Sequence, residues 1–148
     1  MRVENRIEIA APIARVWELT LDAEAWPAFT PTITSIEWLS EPPVKVGSTA
    51  RIKQAAQPDR VWTVTALETE SCFAWATRAM GVTMTGSHHL AASETGTTNT
   101  LTVDIEGLLA PLIGLLLRRP IRNAIAAENA GFKAAAEIPP ESANRARS

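Results

Sequence analysis

The sequence predicts an α+β domain. A curved antiparallel sheet of seven strands is wrapped around one long C-terminal helix, with two short helices between the first and second strands. Three observations lead there. The N-terminus alternates apolar and polar residues and then meets Pro12. Six further strand-like runs follow, separated by short turn sequences. The chain closes on an Ala-rich stretch with helical spacing, stopped by Pro139-Pro140.

Residues 2–9 place Val3, Asn5, Ile7 and Ile9 on one face and Arg2, Glu4, Arg6 and Glu8 on the other, the pattern of a half-buried strand. Pro12 suits the first position of a helix, because the proton its ring lacks has no partner there anyway. Ile13, Val16, Trp17 and Leu21 then fall at helical spacing. Asp22 is suited to cap a second helical turn, which carries Trp26, Pro27 and Phe29. Trp26-Pro27 and Thr30-Pro31 return the chain to extended structure.

The strand candidates are 32–40, 48–55, 60–69, 72–79, 82–92 and 98–107. Their separators are Glu41-Pro42-Pro43 with Gly47, Pro58-Asp59, Gly81, and Glu94-Thr95-Gly96-Thr97. Connections this short imply consecutive antiparallel pairing. In the second strand Ile33, Ile36 and Trp38 do not share one parity, so its inward face is left open; a bulge would be an ordinary explanation. Leu108–Leu117 opens a helical region, and Pro120 is expected to kink it or end its first segment. Beyond it, Ile121, Ala124, Ile125, Glu128, Gly131, Phe132 and Ala135 share one side. A continuous helix over 120–138 would be about 28 Å long, enough to cross the concave face. Residues 1–138 read as a single domain and the polar tail 139–148 as disordered.

Composition bounds the function. At 148 residues, 46% hydrophobic and 20% charged, the chain is a folded domain with one core. Its formal charge is -2 and no basic stripe occurs, which argues against nucleic acid. The single cysteine, Cys72, excludes an internal disulfide and makes no metal site alone. The start MRVENRIEIA lacks an apolar signal core, so a cytoplasmic protein is expected. The longest apolar run, Leu108–Leu117, holds Pro111 and Gly114 and is too short to span a bilayer. Five Trp stand against three Phe and no Tyr, so the aromatic surface carries no phenolic proton donors.

Alternation assigns inward faces: Trp62 with Val64; Phe73, Trp75 and Thr77; Met84, Gly86, His88 and Leu90; Leu101, Val103 and Ile105. Ile52 shares a face with Gln54, and Asn5 lies among its aliphatic neighbours. Thr102, Asp104 and Glu106 are expected to face out.

A set of short motifs is shared with a known group of proteins. They are Ala11-Pro12, Val16-Trp17, Asp22, Trp26-Pro27, Pro31, Gly47-Ser48, Trp62-Thr63-Val64 and Phe73-Ala74-Trp75. His88 with Leu90, Gly96-Thr97, Glu128, Phe132-Lys133 and Glu137 complete the set. In order and spacing, over residues 2–138, the chain resembles the START-related SRPBCC superfamily with its helix-grip fold, and within it the bacterial polyketide cyclase/dehydrase-like branch. That superfamily includes lipid and sterol carriers, plant hormone binders, quinone-binding proteins and aromatic polyketide cyclases. The resemblance implies an internal apolar cavity holding a lipid, quinone or polyketide-like molecule; no cofactor and no metal are expected.

On that reading Trp26, Phe29, Trp62, Trp75, Met84, Leu116 and Phe132 supply cavity walls, and Asn5, Gln54 and His88 supply orienting hydrogen bonds. The bland alternative is that the aromatic residues simply fill a core. His88 is the one inward-predicted side chain of a type that exchanges a proton around neutrality, and is the candidate general acid or base. No acidic residue is obviously placed in sequence to orient it. His88 and His89 point to opposite faces of a strand and cannot chelate one ion. Cys72 has no basic neighbour in sequence and reads as an apolar filler. No GxSxG or phosphate-binding glycine loop occurs. Arg118, Arg119 and Arg122 form a solvated basic face or meet an acidic headgroup or partner at the cavity mouth.

Three functions stay open: a carrier-type binder of an apolar or aromatic metabolite, a cyclase/dehydratase-type enzyme acting on such a ligand, and a module whose leucine-rich segment caps another protein or a second copy in a homodimer. The lack of Tyr weighs against the enzyme, because cyclases of this superfamily tend to use a tyrosine, an arginine or an acidic group inside the cavity.

Overall fold

A computed structural model describes residues 1–55 and 57–138; the tail expected at 139–148 lies outside the described residues. Among them, seven strands form one antiparallel sheet: β1 (Arg2–Ile9), β2 (Ile33–Trp38), β3 (Thr49–Gln54), β4 (Arg60–Glu68), β5 (Cys72–Ala79), β6 (Val82–Ser93) and β7 (Gly96–Gly107). Their spatial order is β1-β7-β6-β5-β4-β3-β2. The run from β2 to β7 is thus an unbroken meander, and β1 closes onto β7 with Val3 opposite Val103 and Ile9 opposite Thr97. Register slips between Ile33 and Ser35 and between Val64 and Ala66. Such bulges bend a strand and raise its twist, which helps this sheet curl. The first of them restores Ile33 and Ile36 to the buried side, the parity the sequence left unresolved.

Helix α1 (Ile13–Leu21) follows Pro12, which stands just outside it as the N-cap residue. The next turn, Ala23–Ala28, is a 3-10 helix, not an α-helix. Asp22 occupies its cap position without making the side-chain capping bond expected of it. Three side-chain hydrogen bonds brace this region instead: the Thr20 hydroxyl donates to the Val16 carbonyl, the Thr30 hydroxyl to the Trp26 carbonyl and Trp26 Nε1–H to the Leu19 carbonyl.

Helix α2 is one element, Ala110–Ala136, about 40 Å long. Pro111 sits in its first turn, where a missing N–H costs nothing. Pro120 lies inside the helix and does not end it, which removes one of the two expected outcomes, the end of a first segment. It takes one donor from Leu116, and Leu116 is exposed, so water can serve that carbonyl. The inward stripe of α2 is Ala110, Gly114, Ile125, Asn129, Phe132 and Ala136. Gly131 permits a close approach: a Cβ there would collide with the Phe29 carbonyl oxygen. The main core gathers Val16, Trp26, Val64, Phe73 and Phe132, all essentially sealed from water. Each such side chain contributes roughly 1.5–3 kcal/mol by burial.

Candidate functional site

Between the sheet and α2 lies a cavity of about 540 Å³. Strand registers explain its floor. Trp75, Gly86 and Val103 stand side by side across β5, β6 and β7, and Phe73, His88 and Leu101 form the next row. Gly86 leaves room above the indole of Trp75, since an added Cβ would meet Trp75 Nε1 at 3.5 Å. Trp62 enters from β4, Met84 from β6, and Ile52 with Gln54 from β3. Helix α2 supplies Leu117, Ile121, Ala124, Ile125 and Glu128 as the roof. Gln57, Leu117 and Pro120 are exposed lining residues, so the mouth opens between the β3–β4 turn and the middle of α2.

The wall is an aromatic chain. Ring centroids are 6.0 Å apart for Trp62–Trp75, 5.3 Å for Trp26–Trp75 and 5.3 Å for Trp26–Phe132. Most of these pairs meet edge to face, the arrangement ring quadrupoles favour. His88 is set among them, 4.9 Å from Trp26 and 5.3 Å from Phe132. Its Nε2 lies 3.4 Å from Glu128 Oε1 on the helix. The acidic partner that the sequence did not reveal is therefore present, brought in by α2. A neutral imidazole that carries its proton on Nε2, the nitrogen nearer this carboxylate, keeps its lone pair on Nδ1. His88 Nδ1 and Trp62 Nε1 are both buried without a hydrogen-bond partner among the described residues. One is then an acceptor and the other a donor, and both belong to cavity-lining side chains.

Six predicted site residues line this cavity: Trp26, Gln54, Trp62, Trp75, Met84 and His88. Four do not. Asn5 is tied into a buried amide cluster, its Oδ1 accepting from Asn129 Nδ2 at 2.9 Å while Asn99 Nδ2 donates to Asn129 Oδ1 at 2.9 Å. Asn129 thus occupies the polar partner's place beside Asn5, a role its position on the apolar stripe did not announce. Phe29 and Phe132 pack against each other at 5.1 Å and fill the core beside the cavity. Leu116 points to solvent, and Leu117, one helical step of about 100° away, takes its place. Thr102 is buried, although alternation predicted an outward residue; it shares a row with small Ser87 and Ala74.

Burial and the nearby Glu68 charge push the Cys72 thiol pKa up, which disfavours a reactive thiolate. His89 is exposed while His88 is buried, as opposite faces require. Among the described residues no group of three His, Cys, Asp or Glu side chains could hold a metal ion, and no helix is long and apolar enough to cross a membrane.

Comparison with known proteins places this geometry. Residues 1–137 match the family model described as polyketide cyclase / dehydrase and lipid transport. A Streptomyces halstedii protein, whose name assigns it provisionally to the polyketide cyclases, is 39% identical over 62 residues, 40% of this chain. The match spans about half of that relative, 53%. The crystal structure of the Zhui aromatase/cyclase from Streptomyces sp. R1128 is similar with a TM-score of 0.74 at 20% identity, covering 93% of each chain. A START superfamily protein from Mycobacterium smegmatis gives a TM-score of 0.76 at 15% identity, covering 92% of this chain and 97% of its own. At such identities these two structures speak for the helix-grip fold. The family model spans nearly the whole sequence, and the chain belongs to the polyketide cyclase/dehydrase and lipid transport family.

Proposed function

We propose that this protein binds an apolar or aromatic small molecule, of lipid, quinone or polyketide-like type, in the cavity between sheet and helix. The observation that carries this reading is the pairing of an aromatic wall with three unpartnered buried polar atoms on cavity-lining side chains, Trp62 Nε1, His88 Nδ1 and Thr102 Oγ1. Apolar area removed from water supplies the affinity, at about 25 cal/mol per Å². A ligand carbonyl would accept from Trp62 Nε1–H and a ligand hydroxyl would donate to His88 Nδ1. Such groups set orientation, because a buried polar atom left unmatched costs more than an ordinary hydrogen bond gains. The reading also places the protein in the cytoplasm, consistent with a single unpaired cysteine.

Quenching of tryptophan emission tests it. Titration with a long-chain fatty acid, a naphthoquinone and a hydroxylated anthraquinone should perturb emission for at least one of them. Trp62→Phe should then weaken that ligand by about fivefold, the loss of one hydrogen bond. Unchanged emission with all three probes would overturn the reading.

The contact between His88 and Glu128 favours a second reading, a cyclase/dehydratase. His88 Nδ1 would take a proton from a carbon flanked by two carbonyls. The resulting enolate would attack a carbonyl further along the same chain, forming one carbon–carbon bond. The alkoxide would regain the proton from the imidazolium, and loss of water would follow. Glu128 would hold the ring and stabilise the imidazolium, as a positioning residue. His88→Ala and Glu128→Gln should each depress turnover of a poly-β-ketone substrate, and Glu128→Gln should also shift its pH profile. Turnover that ignores both changes removes this reading and leaves the binder.

A further inference from the structure

We propose that the first half of α2, with the hairpin tip between β5 and β6, docks on an anionic lipid surface and presents the cavity mouth to it. The outward stripe of the helix reads Leu112, Leu115, Arg119 and Arg122 at helical spacing, and Leu108 precedes it in the turn after β7. Leucines of this segment are strongly exposed: Leu108 is 98%, Leu115 80% and Leu116 67% accessible. Met80 at the hairpin tip is 78% accessible and adds to the same patch, because it lines one groove with Gly81 and Leu108. Met80 also has φ of 53°, a left-handed position where Gly or Asn is cheaper. Neither burial nor turn geometry calls for a methionine there.

Charge chooses the occupant. From Gly107 to Ala127 the sequence has three arginines and no acidic residue. Arg78, Arg118, Arg119 and Arg122 form no ion pair among the described residues. Glu106 is the acid that shares the hairpin-side groove, together with Arg78. A second copy docked through this patch by two-fold symmetry would set arginines against arginines. A bilayer with anionic headgroups matches both parts, taking leucines into the acyl boundary and arginines at the phosphates. The geometry adds a route: Leu117, Pro120 and Ile121 line the cavity and follow directly on the exposed leucines. This docking goes beyond ligand binding and is read without any cavity ligand, so either can fail alone.

Co-sedimentation tests it, using vesicles of phosphatidylcholine alone and of phosphatidylcholine mixed with phosphatidylglycerol. Binding should favour the anionic vesicles and fall as salt screens the arginines. Arg118→Gln with Arg119→Gln should weaken it by about twenty-five-fold, at about fivefold for each arginine lost. Leu115→Glu should also weaken it while leaving the thermal midpoint unchanged, since the side chain makes little contact in the free protein. Equal partition onto both vesicle types, or none onto either, overturns the proposal. So does a dimer in sedimentation equilibrium that Leu115→Glu dissolves, coupled with no vesicle binding.

Discussion

The two halves of helix α2 invert the usual relation between hydrophobicity and burial. The first half is rich in leucine, yet Leu112, Leu115 and Leu116 face solvent. The second half is rich in alanine and polar residues, yet it holds Asn129 and Phe132 fully buried. The difference lies in what each half lies against. The second half presses on the core, with Gly131 against the Phe29 carbonyl, and is fastened at its end. Lys133 donates to the Glu8 carbonyl at 3.0 Å, and Glu137 accepts from the Ala10 amide at 2.9 Å. The first half rests on the edge of the sheet through Ala110, Gly114 and Met1. It roofs one end of the cavity and turns its other side outward. A helix can therefore serve as core along one stretch and as surface along the next.

Substitutions ranked by expected cost can break or sharpen this contrast. Phe132→Ala should cost the most, about 3–5 kcal/mol, because the ring is sealed among Trp26, Phe29 and His88. Chemical denaturation would measure it, and a cost near zero would deny that the second half anchors the fold. Asn129→Ala should come next at about 1–3 kcal/mol, since it strips Asn5 Oδ1, Asn99 Nδ2 and the Asn99 carbonyl of a buried partner.

A pH scan probes the fastening at the end of the helix. Hydrogen bonds from Lys133 and the Ala10 amide hold the Glu137 carboxyl below its ordinary range. A lowered folded-state pKa means that its stabilisation is present above the unfolded pKa and is lost as pH falls through the folded one. The thermal midpoint should therefore decline on acidification below the ordinary carboxylate range, and Glu137→Gln should flatten part of that decline. The group is exposed, so the effect is small. Leu115→Ala should change stability least, within about 0.5 kcal/mol. A larger loss in the monomer would show that the first half contributes to the core after all.

Much of the site was visible in strand parity. Trp62, Trp75, Met84 and His88 line the cavity because alternating side chains must point to alternate faces. The same rule turned Asn5 inward correctly and could not say what it would meet there. Asn129 and Glu128 adjoin on the helix, yet one joins the amide cluster and the other reaches His88. Pro120 shows the opposite limit. A local rule predicted a kink or an end, and the exposed setting of that turn let the helix run on through it.

Local sequence determined the strands, the turns between them, the inward faces and the helical period, because each depends on a few neighbouring residues and on backbone sterics. Tertiary structure decided how far along the sheet α2 lies. That placement selects which helical residues stand over His88, which close the cavity and which leucines stay outside. It follows from the summed packing of distant segments, such as Gly131 on Phe29 and Met1 on Gly114, and no periodicity within the helix encodes it.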